Sequence, residues 1–151
     1  MAERVRAAEE VAAAKWGTPG PVEDPDRERR VLADVTERAA ELGIAPDLVR
    51  SFFEDQFEAS KAVQRALHER WRAQPTGRPK RSPVLAAEVR PVLEDIDERL
   101  LATLGQAADL LSGPRFRALL EQERDSAARS LDPVHRRGLE RALKRLRRAA
   151  A

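Results

Sequence analysis

A chain of 151 residues suits one domain and is long enough to bury a core of its own. It has no cysteine, which excludes disulfide frameworks, thiol nucleophiles and zinc–thiolate centres, and no apolar run approaches the roughly 20 residues of a membrane span. Charged residues make up 36% of the chain but the net charge is only +2, which describes mixed-sign solvated helix faces better than a nucleic-acid footprint. The positive charge is nearly all arginine, with lysine only at Lys15, Lys61, Lys80 and Lys144. Arginine offers a planar fork that binds carboxylates through two parallel hydrogen bonds. There is no tyrosine, and alternation nowhere beats a three-and-four spacing, so the chain reads as all-α, one domain over residues 1–151.

Segment 2–16, AERVRAAEEVAAAKW, is alanine-rich and free of glycine, with high helix propensity. Arg4 and Lys15 are eleven residues apart. That is three turns to within about 20°, so both leave the same face. Ala8 and Ala12 share that face and would let a neighbour or a ligand come close. Taken alone, two such cations suit solvent better than a ligand. A helix whose first useful side chain is Arg4 normally begins a turn or two earlier, so a further segment is expected upstream of Met1.

Gly17, Pro19, Gly20 and Pro21 make a compact turn, and Asp24 before Pro25 fits a helix N-cap with proline at the first helical position. That helix is expected to run to Leu42, stopped by Gly43. Asp24, Arg27, Glu28 and Val31 lie on one face of it, charged in its first half and apolar in its second. Capping accounts for Asp24 at least as well as ligand binding does, and the two roles are compatible. For Arg27 and Glu28 the plain alternative is an exposed cluster at a helix start.

From Pro46 to Ala73 nothing interrupts helical hydrogen bonding, which predicts one central helix about 42 Å long. Its apolar stripe is Val49, Phe52, Phe53, Val63, Leu67 and Trp71, and the same stripe contains Gln56, Ser60 and Gln64. Those three polar groups are either satisfied locally or line a polar pocket. His68 and His135 stand alone on charged faces without metal-ligand spacing and are expected to be solvated. No metal site is expected.

Residues 74–83 form a polar linker with three prolines, and Ser82–Pro83 repeats the cap-then-proline signature. Leu85, Val89, Val92, Ile96, Leu100, Leu104 and Leu111 then carry a fourth helix to Gly113. Pro91 either kinks that helix or marks its real start, which leaves Arg90 near a helix N-terminus, where the backbone dipole favours anions. A fifth helix is expected from Pro114 to Ser130 and a sixth from Asp132–Pro133 to the C-terminus. The sixth is strongly basic, but Leu139, Leu143 and Leu146 give it a packing stripe. It therefore reads as an outer helix of the bundle rather than a membrane or nucleic-acid surface.

The in-register polar residues run R-x10-K-W from Arg4, P-V-E-D-x2-R-E-x2-V-L from Pro21, D-Q-x3-S-x3-Q-x6-W from Asp55, and then Arg90 at the start of the fourth helix. Over nearly the whole chain this order and spacing resembles the all-helical chorismate mutases, in particular the gamma subclass of largely exported bacterial enzymes. Several linked motifs weigh more than a likeness of fold. The resemblance implies a six-helix bundle of that type with one long central helix. It also implies a homodimer and conversion of chorismate to prephenate with no cofactor, no metal, and no nucleic-acid or membrane partner. The implied location is periplasmic or secreted, with a signal peptide upstream of Met1; a chain that begins at Met1 would instead be cytoplasmic.

That reaction is an intramolecular [3,3] rearrangement in which a C–O bond breaks as a C–C bond forms. No proton is moved and no nucleophile is needed, so an enzyme helps by holding a compact conformer and stabilising charge on the ether oxygen. The resemblance gives Arg4, Arg27 and Arg90, with the Ser60 hydroxyl, the task of gripping two substrate carboxylates. Lys15 and Gln64 would face the ether oxygen, while Asp24 and Glu28 would accept from the ring hydroxyl. The alternatives on the same fold are an isochorismate pyruvate-lyase and an aminodeoxychorismate mutase. From another class, the alternative is a non-catalytic helical interaction protein acting through the basic last helix.

Gln64 stands where some relatives place a glutamate. A glutamate donates only while protonated, whereas an amide donates at every ordinary pH. Activity is therefore expected to stay flat from mildly acidic to mildly basic conditions; a pH–rate profile that falls steeply toward neutrality would remove Gln64 from the donor role.

Overall fold

A computed structural model describes residues 1–107, 110 and 114–149. Helices α1 (Ala2–Lys15), α2 (Pro25–Glu41) and α3 (Pro46–Ala73) come first. After a short 3-10 turn at Pro75–Gly77 and a π-helical turn at Leu85–Val89 come α4 (Arg90–Ala107), α5 (Pro114–Ala128), α6 (Pro133–Ala142) and α7 (Lys144–Ala149). The described residues contain no strand. The expected sixth helix is thus two segments parted at Leu143, and the fifth ends at Ala128. Leu111 and Gly113, expected in the fourth helix, lie outside the described residues.

The helix ends follow local chemistry. Asp24 caps α2, its Oδ1 accepting the Arg27 backbone N–H at 3.1 Å, and Asp132 caps α6 by accepting the His135 N–H at 2.9 Å. Gly43, at φ +67°, closes α2. There the Ile44 N–H reaches the Ala39 carbonyl at 2.9 Å and the Gly43 N–H reaches Ala40 at 3.2 Å, which satisfies carbonyls the helix would otherwise strand.

α3 is the axis of the molecule, with α1, α2 and α6 packed around it. Val49, Phe52, Phe53, Val63, Leu67 and Trp71 are all buried along it, and Ala8 and Ala12 let α1 approach closely. The π-helical turn settles the role of Pro91. The Arg90 N–H bonds back to the Leu85 carbonyl, five residues away, and α4 starts afresh at Arg90 with Pro91 in its first turn. The wide turn also adds one residue to the apolar register. Val92, expected inside, is 53% exposed, whereas Leu93 is half-buried and Ile96, Leu101 and Leu104 are buried.

Both histidines depart from expectation, since neither is solvated. His68 is buried, donating from Nε2 to the Ala12 carbonyl at 2.9 Å and packing its ring against Trp16 and Trp71. His135 is buried with Nδ1 2.8 Å from Asp132 Oδ1. Their sequence neighbours Glu69, Arg70, Arg136 and Arg137 are exposed, so each ring sits at the inner margin of a charged face, where a crossing helix covers it.

Where α6 crosses α3 and α1, the helices meet at Gly138. A β-carbon there would lie 2.6 Å from Val63 Cγ2 and 3.1 Å from Val5 Cγ1, both on stiff β-branched side chains. Overpacking of this kind costs about 1–3 kcal/mol. Gly138→Ala is expected to lower the melting temperature by several degrees in calorimetry, and adding Val63→Ala to recover part of the loss; unchanged melting would mean that α6 moves aside without cost.

Candidate active site

The eight polar side chains singled out in the sequence come from four helices. Arg4 and Lys15 stand on α1, Asp24, Arg27 and Glu28 at the start of α2, Ser60 and Gln64 on α3, and Arg90 at the start of α4. All eight line one cavity of about 100 Å³ whose apolar walls include Val11, Val31, Phe57 and Leu93. Gln56, the third polar member of the α3 stripe, is satisfied in the core, its Nε2 donating to the Ala142 carbonyl at 2.9 Å.

Each group is held by a definable contact. Lys15 closes α1 and its Nζ donates to the carbonyls of Val22 at 2.6 Å and Pro21 at 3.5 Å, which leaves one of its three protons uncommitted. Burial pushes the Lys15 ammonium below its ordinary pKa, against the opposing pull of Asp24 and Glu23. Asp24 spends Oδ1 on its cap, and its Oδ2 lies 3.4 Å from Arg90 Nη2. Arg27 pairs with Glu94 of α4 on the open side of the cavity. Gln64 Nε2 donates to Ser60 Oγ at 3.0 Å. The amide keeps a second N–H and the serine keeps its own hydroxyl proton. Gln64 Oε1 is buried with no partner, a cost of about 1–3 kcal/mol that stable folds rarely carry without a use.

Arg4 is the most enclosed cation, only 5% exposed. Its Nε–H meets Asp97 Oδ1 at 2.6 Å, an Nη2–H meets Oδ2 at 3.4 Å and an Nη1–H meets the Gln56 carbonyl at 3.2 Å. The Phe57 ring lies 5.2 Å from its guanidinium carbon. Removing one partner of a buried ion pair costs about 3–5 kcal/mol, so this pair matters to folding as well as to the cavity.

Four residues of the site escaped sequence reasoning: Phe57, Lys61, Glu94 and Asp97. Lys61 is one residue past Ser60, off the apolar stripe, yet it lines the cavity and lies 3.1 Å from Glu28 Oε1 and 2.6 Å from Glu58 Oε1. Burial pushes the Lys61 ammonium down, but the hydrogen bonds it donates to Glu58 and Glu28 outweigh this and leave it raised. For the two acids a signal existed: Arg90, Glu94 and Asp97 stand at i, i+4 and i+7, one face of α4.

The charges lining the cavity are five cations, Arg4, Lys15, Arg27, Lys61 and Arg90, against three carboxylates, Asp24, Glu28 and Asp97. The lining itself carries two more cations than carboxylates, while Glu94 and Glu58, just outside it, pair with Arg27 and Lys61. A cleft of about 400 Å³ between α2 and α4 adjoins the cavity and shares Arg27, Val31 and Asp97 with it. Among the described residues no group of three or more histidines and carboxylates is placed to hold a metal ion.

The family profile of type II chorismate mutase matches residues 1–65. The secreted chorismate mutase of Mycolicibacterium smegmatis is 32% identical over 143 residues, a stretch covering 93% of this chain and 78% of that protein. The chain belongs to the chorismate mutase family. The secreted chorismate mutase of Mycobacterium tuberculosis is 34% identical, over 91% of this chain and 70% of its own length. Among solved structures, the chorismate mutase of Burkholderia thailandensis superposes with a TM-score of 0.89 at 35% identity, over 96% of this chain and 92% of that one. That of Burkholderia phymatum gives 0.88, also at 35% identity, over 96% and 90%. This chorismate mutase is therefore an all-α isomerase, and its cavity is built from the helices that the likeness spans.

Proposed function

We propose that this chorismate mutase rearranges chorismate to prephenate in the cavity between α1, α2, α3 and α4, by positioning and electrostatic stabilisation alone. The observation that carries the reading is the convergence of five cations with the Ser60 and Gln64 donors on a single small cavity, supplied by side chains on four helices. Arg4, Arg27 and Arg90, with the free proton of Ser60, hold the two carboxylates and so fold the substrate into its reactive conformer. The uncommitted proton of Lys15 and the second N–H of Gln64 point to the ether oxygen, where their value grows as negative charge develops. Glu28, held by Lys61, and Asp24 accept from the ring hydroxyl. At about 100 Å³ the cavity is below the roughly 300 Å³ at which small-molecule sites begin. Arg27, which borders both the cavity and the α2–α4 cleft, would exchange Glu94 for a substrate carboxylate on binding.

The two mycobacterial relatives are described as secreted, which supports export of this chain to the periplasm or beyond. No helix among the described residues is long and apolar enough to cross a membrane. We also propose a homodimer, as the family resemblance implies; sedimentation at micromolar concentration tests it.

A rate gain on the order of 10⁶ corresponds to roughly 8 kcal/mol, and losing one preorganised donor costs on the order of 10² to 10³ in turnover. Followed by the loss of chorismate's ultraviolet absorbance, Lys15→Ala and Arg27→Ala are each expected to slow turnover by at least about two decades while circular dichroism stays unchanged. Near-normal turnover in either folded variant would refute its role. The sign of the Lys15 shift gives a second expectation. Only the ammonium donates, and burial lowers its pKa, so turnover falls on the alkaline side before an exposed lysine would lose its proton. Lys15→Arg keeps its proton and should carry the remaining activity to higher pH; an alkaline limb that does not move would assign it to another group.

A further inference from the structure

We propose that Asp97 is a positioning residue, holding Arg4 by its Nε/Nη2 edge so that the N–H groups left on the terminal nitrogens are presented to a substrate carboxylate. The inference rests on the reading of Arg4 as a carboxylate ligand. A guanidinium carries five N–H donors in one plane, and three are committed here, Nε–H and one Nη2–H to Asp97 and one Nη1–H to the Gln56 carbonyl. One N–H therefore remains on each terminal nitrogen. Those two N–H groups are left for the oxygens of a substrate carboxylate. With Asp97 only 7% exposed, Arg4 only 5% exposed and the Phe57 ring beneath the guanidinium, its orientation is set before any ligand arrives. A long flexible side chain fixed in advance loses less freedom on binding.

Electrostatics alone predicts the opposite consequence. Removing the Asp97 charge would leave the cavity more positive, and a dianion should then bind more tightly. If Asp97 acts by aiming Arg4, removing its charge weakens binding, because the fork is released. The sign of the change in KM separates the two views, and a merely structural role would move neither KM nor kcat in a folded protein.

The test is a double-mutant cycle read by chorismate turnover, with wild type, Asp97→Asn, Arg4→Ala and the double variant each assayed well below its melting midpoint. Expected is a loss of about 10- to 100-fold in kcat/KM for Asp97→Asn, chiefly as a raised KM, shrinking to less than about threefold once Arg4 is already alanine. A lowered or unchanged KM in folded Asp97→Asn would overturn the proposal, as would an equal loss in both backgrounds. If Asp97→Asn does not fold, Asp97→Glu decides. It keeps the charge that neutralises Arg4 but displaces the fork, so reduced kcat/KM supports aiming and wild-type kinetics refutes it. Should Arg4→Ala itself leave kcat/KM untouched, it is the carboxylate-binding reading of Arg4 that fails.

Discussion

Five cations gathered around one cavity repel one another, and the fold must hold them there. At an effective dielectric constant near 20, two like charges about 6 Å apart repel by roughly 3 kcal/mol, comparable to a sizeable share of a domain's net stability. The opposition comes mainly from carboxylates on facing helices: Asp97 against Arg4, Glu94 against Arg27, Asp24 against Arg90, and Glu28, joined by Glu58 of the same helix, against Lys61. None of the four cations is paired by an acid reached only through its own helix. Apart from Lys61–Glu58, each pair ties two elements together, fastening α1 and α2 to α4 and α3 to α2.

α3 does two jobs along one stripe. Its ends, Phe52 and Phe53 at one and Leu67 and Trp71 at the other, are buried core, and between them Gln56, Ser60 and Gln64 bring polar groups inward. Gln56 is spent on binding the last turn of α6, while Ser60 and Gln64 open onto the cavity. The chemistry assigned to the family asks for donors that stay in place rather than groups that change protonation, and a cavity floored by one continuous helix supplies that rigidity.

Most of this site was legible before any coordinates because its residues obey helical arithmetic. Arg4 and Lys15 share a face at three turns, Asp24, Arg27 and Glu28 share another, and Ser60 and Gln64 are one turn apart. Less legible was whatever depends on one helix covering another. His68 and His135 look solvated on their own helices and are buried by neighbours, and Val92 slips out of its stripe because a wide turn ahead of Pro91 adds a residue to the register. Lys61 was hidden for a related reason, since it stands off the apolar stripe of α3 and only the approach of α2 turns it inward, whereas Asp97 shares a face of α4 with Arg90.

The sequence by itself determined the spans of α1 to α3 nearly to the residue, the capping of α2 and α6 and the in-register polar set, because propensity, capping and periodicity act over a few residues along one chain. The tertiary structure alone decided which carboxylate meets which cation, how far Arg4 and Lys15 are buried, that the last helix breaks at Leu143, and that the cavity closes to about 100 Å³. Those outcomes depend on how close helices pass and at what angle, and small residues such as Ala8, Ala12 and Gly138 set that distance only once all the helices are present together.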